Sequence, residues 1–289
     1  MKKVAFLSMD SLNGFSCYDH MLFKPLNKLG WNAEEVSWKD KKINWSEYDS
    51  VIVRSAWDYQ DNPDEFVKVL EKINKSKTVL FNDLEIMKWN MNKSYLFDLG
   101  NKGIPIPTSL YFEKYNSQAT ADSFYKLNCD EIVIKPLISA SAFNTFRVRK
   151  NKLNEVDEIL TSTFFNKPFL VQPFLRNIVD EGEYSLFYFG GRYSHTILKT
   201  PKENDFRVQE EHGGILKLIE PEKQMKSAAE NILKFIPKLL YARVDLTRTE
   251  EDNFVLMELE LIEPSLYFNM APDSAAFFAQ VFDEWMSSE

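Results

Sequence analysis

Glycine is scarce: the 289 residues contain nine, and none stands in a G-x-G-x-x-G or G-x-x-x-x-G-K-[ST] spacing. Both motifs use glycine where backbone must approach phosphate oxygens, so a dinucleotide fingerprint and a P-loop are excluded. A nucleotide, if bound, is held by another route. Cysteine is scarcer: Cys17 and Cys129 stand far apart, which excludes a disulfide framework and makes a reducing compartment the expectation. No apolar run approaches a transmembrane helix. The opening MKKVAFLSMD reads as a first strand and not as a signal peptide, so a soluble cytoplasmic protein is expected. Basic charge is also short, 35 Lys+Arg against 43 Asp+Glu for a net −8, which argues against nucleic acid or an anionic membrane as partner. What the chain does have is length and apolar mass, 289 residues at 44% hydrophobic, enough for two or three compact units.

The pattern along the chain changes twice. The first part alternates short apolar runs (Val4–Leu7, Ser50–Val53, Thr78–Phe81) with helical spacing at Leu22, Leu26 and Leu29 and at Phe66, Leu70 and Ile73. Asn62 and Pro63 supply the cap and first residue of the second helix. This strand–helix alternation predicts a parallel α/β unit over 1–88. A single linking helix is expected over Asn92–Lys102, capped at Gly103, and IPIP then enforces extended chain. Strands at Ser109–Phe112, Glu131–Lys135 and Phe143–Arg149, with helices near Ala119–Leu127 and Asn154–Thr163, make an α+β unit over 89–170. The remainder, 171–289, reads as mostly antiparallel, with a Gly190-Gly191 hairpin, a polar loop over Pro201–Gly214 and a closing amphipathic helix.

Chemistry gathers in the last hairpin. In YARVDLT, Arg243 and Asp245 share one strand face; in FVLMELELIE, Glu258 and Glu260 share another, and folding about Glu250 brings the faces together. Three close carboxylates repel unless a cation sits among them, and a partial set of hard oxygen ligands suits Mg²⁺ completed by phosphate and water. A solvated polar sheet face is the competing reading. Lys135 ends the buried-strand run EIVIK and precedes a loop rich in small residues (Ser139, Ala140, Ser141, Ala142), whose amides can approach phosphate. Lys93 stands at the start of the linking helix. In FLVQPFL, Pro173 interrupts pairing and leaves an edge amide for a ligand such as adenine, and Glu183 is placed for ribose hydroxyls. Taken singly, each of these is also compatible with ordinary surface charge or a plain strand connection.

The ordered set, Lys93, GIPIPT, IVIKP with its small-residue loop, VQPFL…EGEYS, DFR…GG and ARVD…MELE, resembles the ATP-grasp superfamily from about Asn82 to Leu266. WNMNKSYLFDL and VRSAWDY are most similar to the glutathione-synthetase-like branch that includes cycloserine biosynthesis ligases. The resemblance implies an ATP-grasp fold: an N-terminal α/β domain plus two α+β subdomains clasping ATP. It implies ATP and Mg²⁺ as cofactors. Lys93 and Lys135 would hold phosphates; Gln172, Pro173, Phe174 and Leu175 would form the hinge around adenine; Glu183 would meet ribose. Lys199 and Arg207 would reach phosphate and an acyl phosphate, Arg243 would stabilise the transferring charge, and Asp245, Glu258 and Glu260 would bind metal. Two departures stand out: the loop after Lys135 lacks the usual glycines, and Glu260 stands where many members have Asn.

The implied reaction is ligation of a carboxylate to an amine through an acyl phosphate, with release of ADP and phosphate. Arg54 is a candidate grip on the substrate carboxylate as a bidentate fork, with Trp57, Asp58 and Tyr59 shaping the pocket; a strand-end salt bridge is the equal alternative for Arg54. The expected partner is a small amino-acid-like molecule, joined to another or closed into a ring, with neither nucleic acid nor membrane, and self-association as a homodimer is left open. Rival readings are an ATP-binding module without catalysis and a metal-dependent hydrolase that needs no ATP. Cys17 and His20, three apart, could form a thiol–imidazole pair on a helix, but a structural thiol and a surface imidazole are expected, and His195 and His212 form no ligand cluster at metal spacing.

Overall fold

A computed structural model of the chain describes residues 2–140 and 142–288. Strands β1 (Lys2–Ser8), β2 (Trp31–Ser37), β3 (Ser50–Ser55) and β4 (Val79–Phe81) form a parallel sheet of order β2-β1-β3-β4, with helices α1 (Phe23–Lys28) and α2 (Pro63–Asn74) in the crossovers. The inner strands are apolar at successive positions because both faces are covered. Val4, Phe6 and Ile52 enter one core, and Ala5, Leu7, Val51 and Val53 enter another. The edge strand β2 carries no clear alternation, since WNAEEVS buries only Trp31 and Val36, and sequence pattern does not mark it.

The sequence pattern predicts one linking helix; the structure has α3 (Leu84–Met91) and α4 (Tyr95–Asn101). Asn92 between them is extended (φ −102°, ψ 121°), and its side chain accepts from the Ser94 amide at 2.9 Å. That Asx turn stops one helix and starts the next, and it leaves Lys93 in the gap.

Strands β5 (Leu110–Phe112), β6 (Glu131–Pro136), β7 (Phe146–Arg149) and β8 (Phe169–Pro173) form an antiparallel sheet of order β5-β8-β6-β7. Helices α5 (Ser117–Lys126) and α6 (Leu153–Phe164) contribute Phe124, Leu160 and Phe164 to a core with Ile132, Ile134, Val148 and Phe169. The expected division between 170 and 171 falls inside β8.

After the short helix α7 (Asn177–Asp180) come β9 (Glu183–Phe189), β10 (Arg192–Thr200), β11 (Ile215–Ile219), β12 (Tyr241–Arg248) and β13 (Phe254–Glu260), antiparallel in the order β11-β10-β9-β12-β13. Gly190 and Gly191 (φ 57° and 73°) make the β9–β10 turn, where a two-residue hairpin loop needs positive φ at both positions. The edge strand β11 leaves Ile215 and Leu218 exposed and has no signal in the sequence pattern. One face of this sheet packs Leu186, Val244 and Leu259 against α4 and the helix α8 (Lys223–Leu233). Its opposite face is divided along its length. Phe187, Phe189 and Tyr241 join Val4 and Phe6 and the final helix α9 (Ser274–Met286) in one aromatic core. The other end of that face is polar and lines a cleft.

Candidate active site

β13 is an edge strand, and its free edge is closed by side chains. Asn90 donates to the Leu259 carbonyl (2.7 Å) and accepts from the Leu261 amide (3.0 Å), and the Tyr95 hydroxyl accepts from the Leu259 amide (2.8 Å). Asn82 donates to the Leu261 carbonyl (2.7 Å) and the Tyr241 carbonyl (2.9 Å) and accepts from the Leu240 amide (3.0 Å). These bonds fix the phase of the strand. With Leu259 and Leu261 pinned inward, Glu258 and Glu260 must face the cleft, which both line. Sequence reasoning gave no role to Asn82, Asn90 or Tyr95, because a side chain bonded to a strand edge follows no period.

β12 and β13 pair Arg243 opposite Glu260 and Asp245 opposite Glu258, with a bulge after Asp245. Arg243 bonds Glu260 and also Asp245 (2.9 Å). Lys199 on β10 pairs with Glu183 (2.6 Å) and lies 3.5 Å from Asp245. Lys93 pairs with Glu258 (2.8 Å) and donates to the Ser139 carbonyl (2.9 Å). Lys135 lines the same cleft and has no ion pair among the described residues. Burial holds Lys135 below the usual lysine range. Burial would raise Glu258, but Lys93 and Lys135 outweigh it and hold the carboxyl low. Burial raises Glu260, with Arg243 opposing and Asp245 and Glu258 adding repulsion.

Asp245, Glu258 and Glu260 are neighbours on the paired strands, but Arg243 separates Asp245 from Glu260. Among the described residues no three His, Cys, Asp or Glu side chains are grouped to hold a metal. Asp245 lies behind Arg243, is 1% exposed and accepts from Ser185 (2.5 Å), because the guanidinium of Arg243 occupies the space between it and Glu260. Glu258 and Glu260 remain facing the cleft. These two carboxylates, facing the cleft and open to phosphate and water, suit Mg²⁺; Asp245 can add to the field without touching the ion.

At the other end of the cleft, Gln172, Pro173, Phe174 and Leu175 run along its lining with Ile178, Val133 and Phe206. Gln172 is buried and donates to Ser109 (2.8 Å). Of the amides after Pro173, that of Phe174 bonds the Glu131 carbonyl (2.9 Å) and is not free. No bond to the Leu175 amide is formed by the described residues, so the open donor falls one position later. Arg147 stacks on Phe174, 3.7 Å from its ring centroid. Arg207 lines the cleft from the polar loop, held by a bidentate pair with Asp205 (2.8 and 3.1 Å). In the small-residue loop, Ala142 and Asn144 adopt positive φ (54° and 53°) without glycine; this stores the strain that glycine would have relieved. Gln60 accepts a hydrogen bond from the Ala140 amide. Ser141 lies outside the described residues.

Glu183 is placed with the cations and not free beside the hinge, since Lys199 holds it. The segment after β3 contributes Trp57 and Tyr59 to the lining, whereas neither Arg54 nor Asp58 lines it. Arg54 is fully buried, paired with Asp19 at 2.9 Å and bonded to the Pro264 carbonyl at 2.9 Å. Of its two sequence readings, the structure has the salt bridge. Asp58 accepts from the Trp38 indole (2.6 Å) and pairs with Lys39 (2.5 Å), away from the cleft. A residue the sequence analysis did not single out takes their place: Glu263, three positions after Glu260, lines the cleft beside Tyr59. Burial pushes its carboxyl up to about 8, with repulsion from Glu260 and Glu258 adding to it and Lys93 and the Tyr59 hydroxyl opposing.

Comparison with known proteins finds two matching family models. Residues 4–82 match the N-terminal domain of D-cycloserine synthetase DcsG, and residues 115–243 match the ATP-grasp domain of prokaryotic glutathione synthetase. The chain is 27% identical over 277 residues to the cycloserine biosynthesis protein DcsG of Streptomyces lavendulae, covering 91% of this chain and 92% of that protein. It superposes on the crystal structure of D-cycloserine synthetase DcsG with a TM-score of 0.85 at 23% identity, covering 98% of this chain and 99% of the other. It also superposes on the ATP complex of D-alanine–D-alanine ligase from Bacillus anthracis with a TM-score of 0.70 at 16% identity, over 98% and 95% of the two chains.

Proposed function

We propose, on the premise that this chain is an ATP-grasp protein with a glutathione-synthetase-type domain over residues 115–243, that it joins a carboxylate to an amine on a small amino-acid-like substrate. ATP is cleaved to ADP and phosphate by way of an acyl phosphate. The observation that carries this reading is one cleft lined by Lys93, Lys135, Lys199 and Arg243, facing Glu258 and Glu260 and continuous with the apolar hinge.

A carboxylate is a poor electrophile, and phosphorylation gives it a leaving group that an amine can displace. The protein's contribution is placement and charge neutralisation. Lys93 and Lys135 hold ATP phosphates, and the Leu175 amide with the Gln172–Leu175 backbone receives adenine. Glu183 is better assigned to orienting Lys199 than to ribose, given their ion pair. Lys199 and Arg207 meet the transferring phosphoryl group, with Arg207 turning from Asp205 to do so. Arg243 stabilises the oxyanion as the amine attacks. Glu258 and Glu260 would hold Mg²⁺, which when bound neutralises phosphate charge. Trp57 and Tyr59 border the acceptor end. Three units are proposed, with the second boundary moved past Pro173 to keep β8 whole. The cytoplasm, where ATP is plentiful, is the proposed compartment.

The name of the matched relative directs the first test. Adding water across the ring amide of D-cycloserine gives the linear 3-aminooxy-D-alanine, so this compound heads a panel of amino acids offered with Mg·ATP. Turnover should release ADP and phosphate in equal amounts, with a product lighter than its reactants by one water. AMP and pyrophosphate would sink the acyl phosphate. Tight ATP binding without turnover across the panel would favour a binding module, and metal-dependent hydrolysis without nucleotide would favour a hydrolase.

A further inference from the structure

The segment after β13 forms one wall of the cleft, which Glu263, Ser265 and Tyr267 line. It has no regular secondary structure, yet four successive carbonyls accept bonds from four side chains. Glu263 O accepts from Trp57 Nε1 (2.9 Å), Pro264 O from Arg54 Nη2 (2.9 Å), Ser265 O from Arg243 Nη1 (3.3 Å) and Leu266 O from His195 Nε2 (3.1 Å). The last of these assigns the Nε2–H tautomer, in which Nδ1 accepts from Ser194 (2.9 Å). The donors are themselves anchored. Arg54 makes two bonds to Asp19 (2.9 and 3.2 Å), and His195 stacks on Phe187 with ring centroids 4.2 Å apart. Fixing an irregular segment from both the first sheet and the third is the support a binding surface needs to hold its side chains in place.

That wall carries one carboxylate into the cleft. Glu183, Glu258 and Glu260 each have a cation, namely Lys199, Lys93 and Arg243. Glu211 is exposed to water. Glu263 has no Lys or Arg within 4.0 Å among the described residues, and only the Tyr59 hydroxyl bonds it. Lys93 attracts Glu263 only from beyond ion-pair distance; a desolvated carboxylate without an ion pair is unfavourable, and a ligand that brings a cationic nitrogen removes the penalty.

We propose that Glu263 receives the ammonium group of the amino-acid-like substrate, on a wall that Arg54 and Trp57 position from the first sheet. Arg54 thus acts on the substrate through the backbone it holds and not as a grip on the carboxylate. The inference takes its ligand class from the ligase reading, but its test needs no turnover.

The probes are D-cycloserine and its N-acetyl derivative, titrated calorimetrically into protein holding Mg·ADP. Wild type should bind the free amine about tenfold more tightly, and Glu263→Gln should shrink that preference to about twofold, as expected when one partner of a buried charge pair is removed. Arg54→Leu and Trp57→Phe should each weaken D-cycloserine about fivefold while Mg·ADP affinity stays within about twofold, and Arg54→Lys should recover part of the loss. If Arg54→Leu does not fold, the Trp57→Phe variant reads the same wall. Equal affinities in wild type, no binding of either probe, or a preference retained in Glu263→Gln would overturn the assignment. So would a tenfold higher Mg²⁺ requirement for ADP binding in Glu263→Gln, which would make Glu263 a metal ligand. The ligase reading fails separately, by absence of ADP release with the panel.

Discussion

Most charges in the cleft come in opposite pairs, and the pairs differ in how easily a ligand can take one partner. Lys93 and Glu258 bond each other at the surface of the cleft, with the Glu258 side chain 32% exposed. Arg243, Lys199 and Asp245 form a deeper group with side chains at most 8% exposed. Phosphate can replace Glu258 on Lys93, and a metal can replace Lys93 on Glu258, without opening the deeper group. Glu258→Gln should therefore lower turnover by roughly 100-fold or more, the scale set by losing a group aimed at developing charge, while the melting temperature moves little. ADP release and a thermal scan check this, and unchanged turnover would remove Glu258 from the site. Lys93→Met should weaken ATP binding by about tenfold to 100-fold, measured by calorimetry, since one charge-assisted contact is worth roughly 1.5–3 kcal/mol.

At the scale of elements, β13 shows what the sequence discloses and what it withholds. Its alternation of Leu259 and Leu261 against Glu258 and Glu260 is a period-two signal that survives because the strand is half solvated, whereas Met257, which the sequence places with the leucines, falls at the bulge and lines the cleft. The pairing with β12 follows from the short turn. The bulge after Asp245 has no such signal, and it sets which carboxylates meet Arg243. Nor do Asn82 and Asn90, whose amides substitute for the missing neighbour strand, or the Asx turn at Asn92 that splits the linking helix. Glu263 escaped notice because its position depends on a segment with no period, held by donors distant in sequence. Asn90→Ala tests the edge directly. It leaves the Leu259 carbonyl and Leu261 amide buried and unpaired, which should cost about 2 kcal/mol or more. The urea midpoint should fall, and Mg·ADP binding should weaken further than stability alone explains, because Glu258 and Glu260 lose their phase.

Across the whole molecule, one buried group imposes a pH dependence. Burial lowers the His195 pKa from 6.5 to about 4, its bond to the Leu266 carbonyl notwithstanding. The unfolded chain then binds more protons than the folded one between about pH 4 and 6.5. Stability should rise with pH across that window and level off above it, by at most about 3 kcal/mol for this group. The raised carboxyls of Glu260 and Glu263 slope the other way over this range, so the His195 contribution is read as the difference in urea midpoint between wild type and His195→Gln, which should grow from pH 4.5 to 7.

The distribution of cores has a mechanical side. Phe187, Phe189 and Tyr241 lie on the same strands as Glu183, Ser185 and Arg243, and they share one aromatic core with Val4, Phe6 and α9. The core of the β5–β8 sheet draws on none of these residues. The first and third sheets are therefore welded into one anvil, and the wall after β13 travels together with Glu258 and Glu260. The β5–β8 sheet, carrying Lys135 and Gln172, is the jaw. Any closure of the cleft would then fall on the β5–β8 sheet, since the opposite wall is already held by the aromatic core.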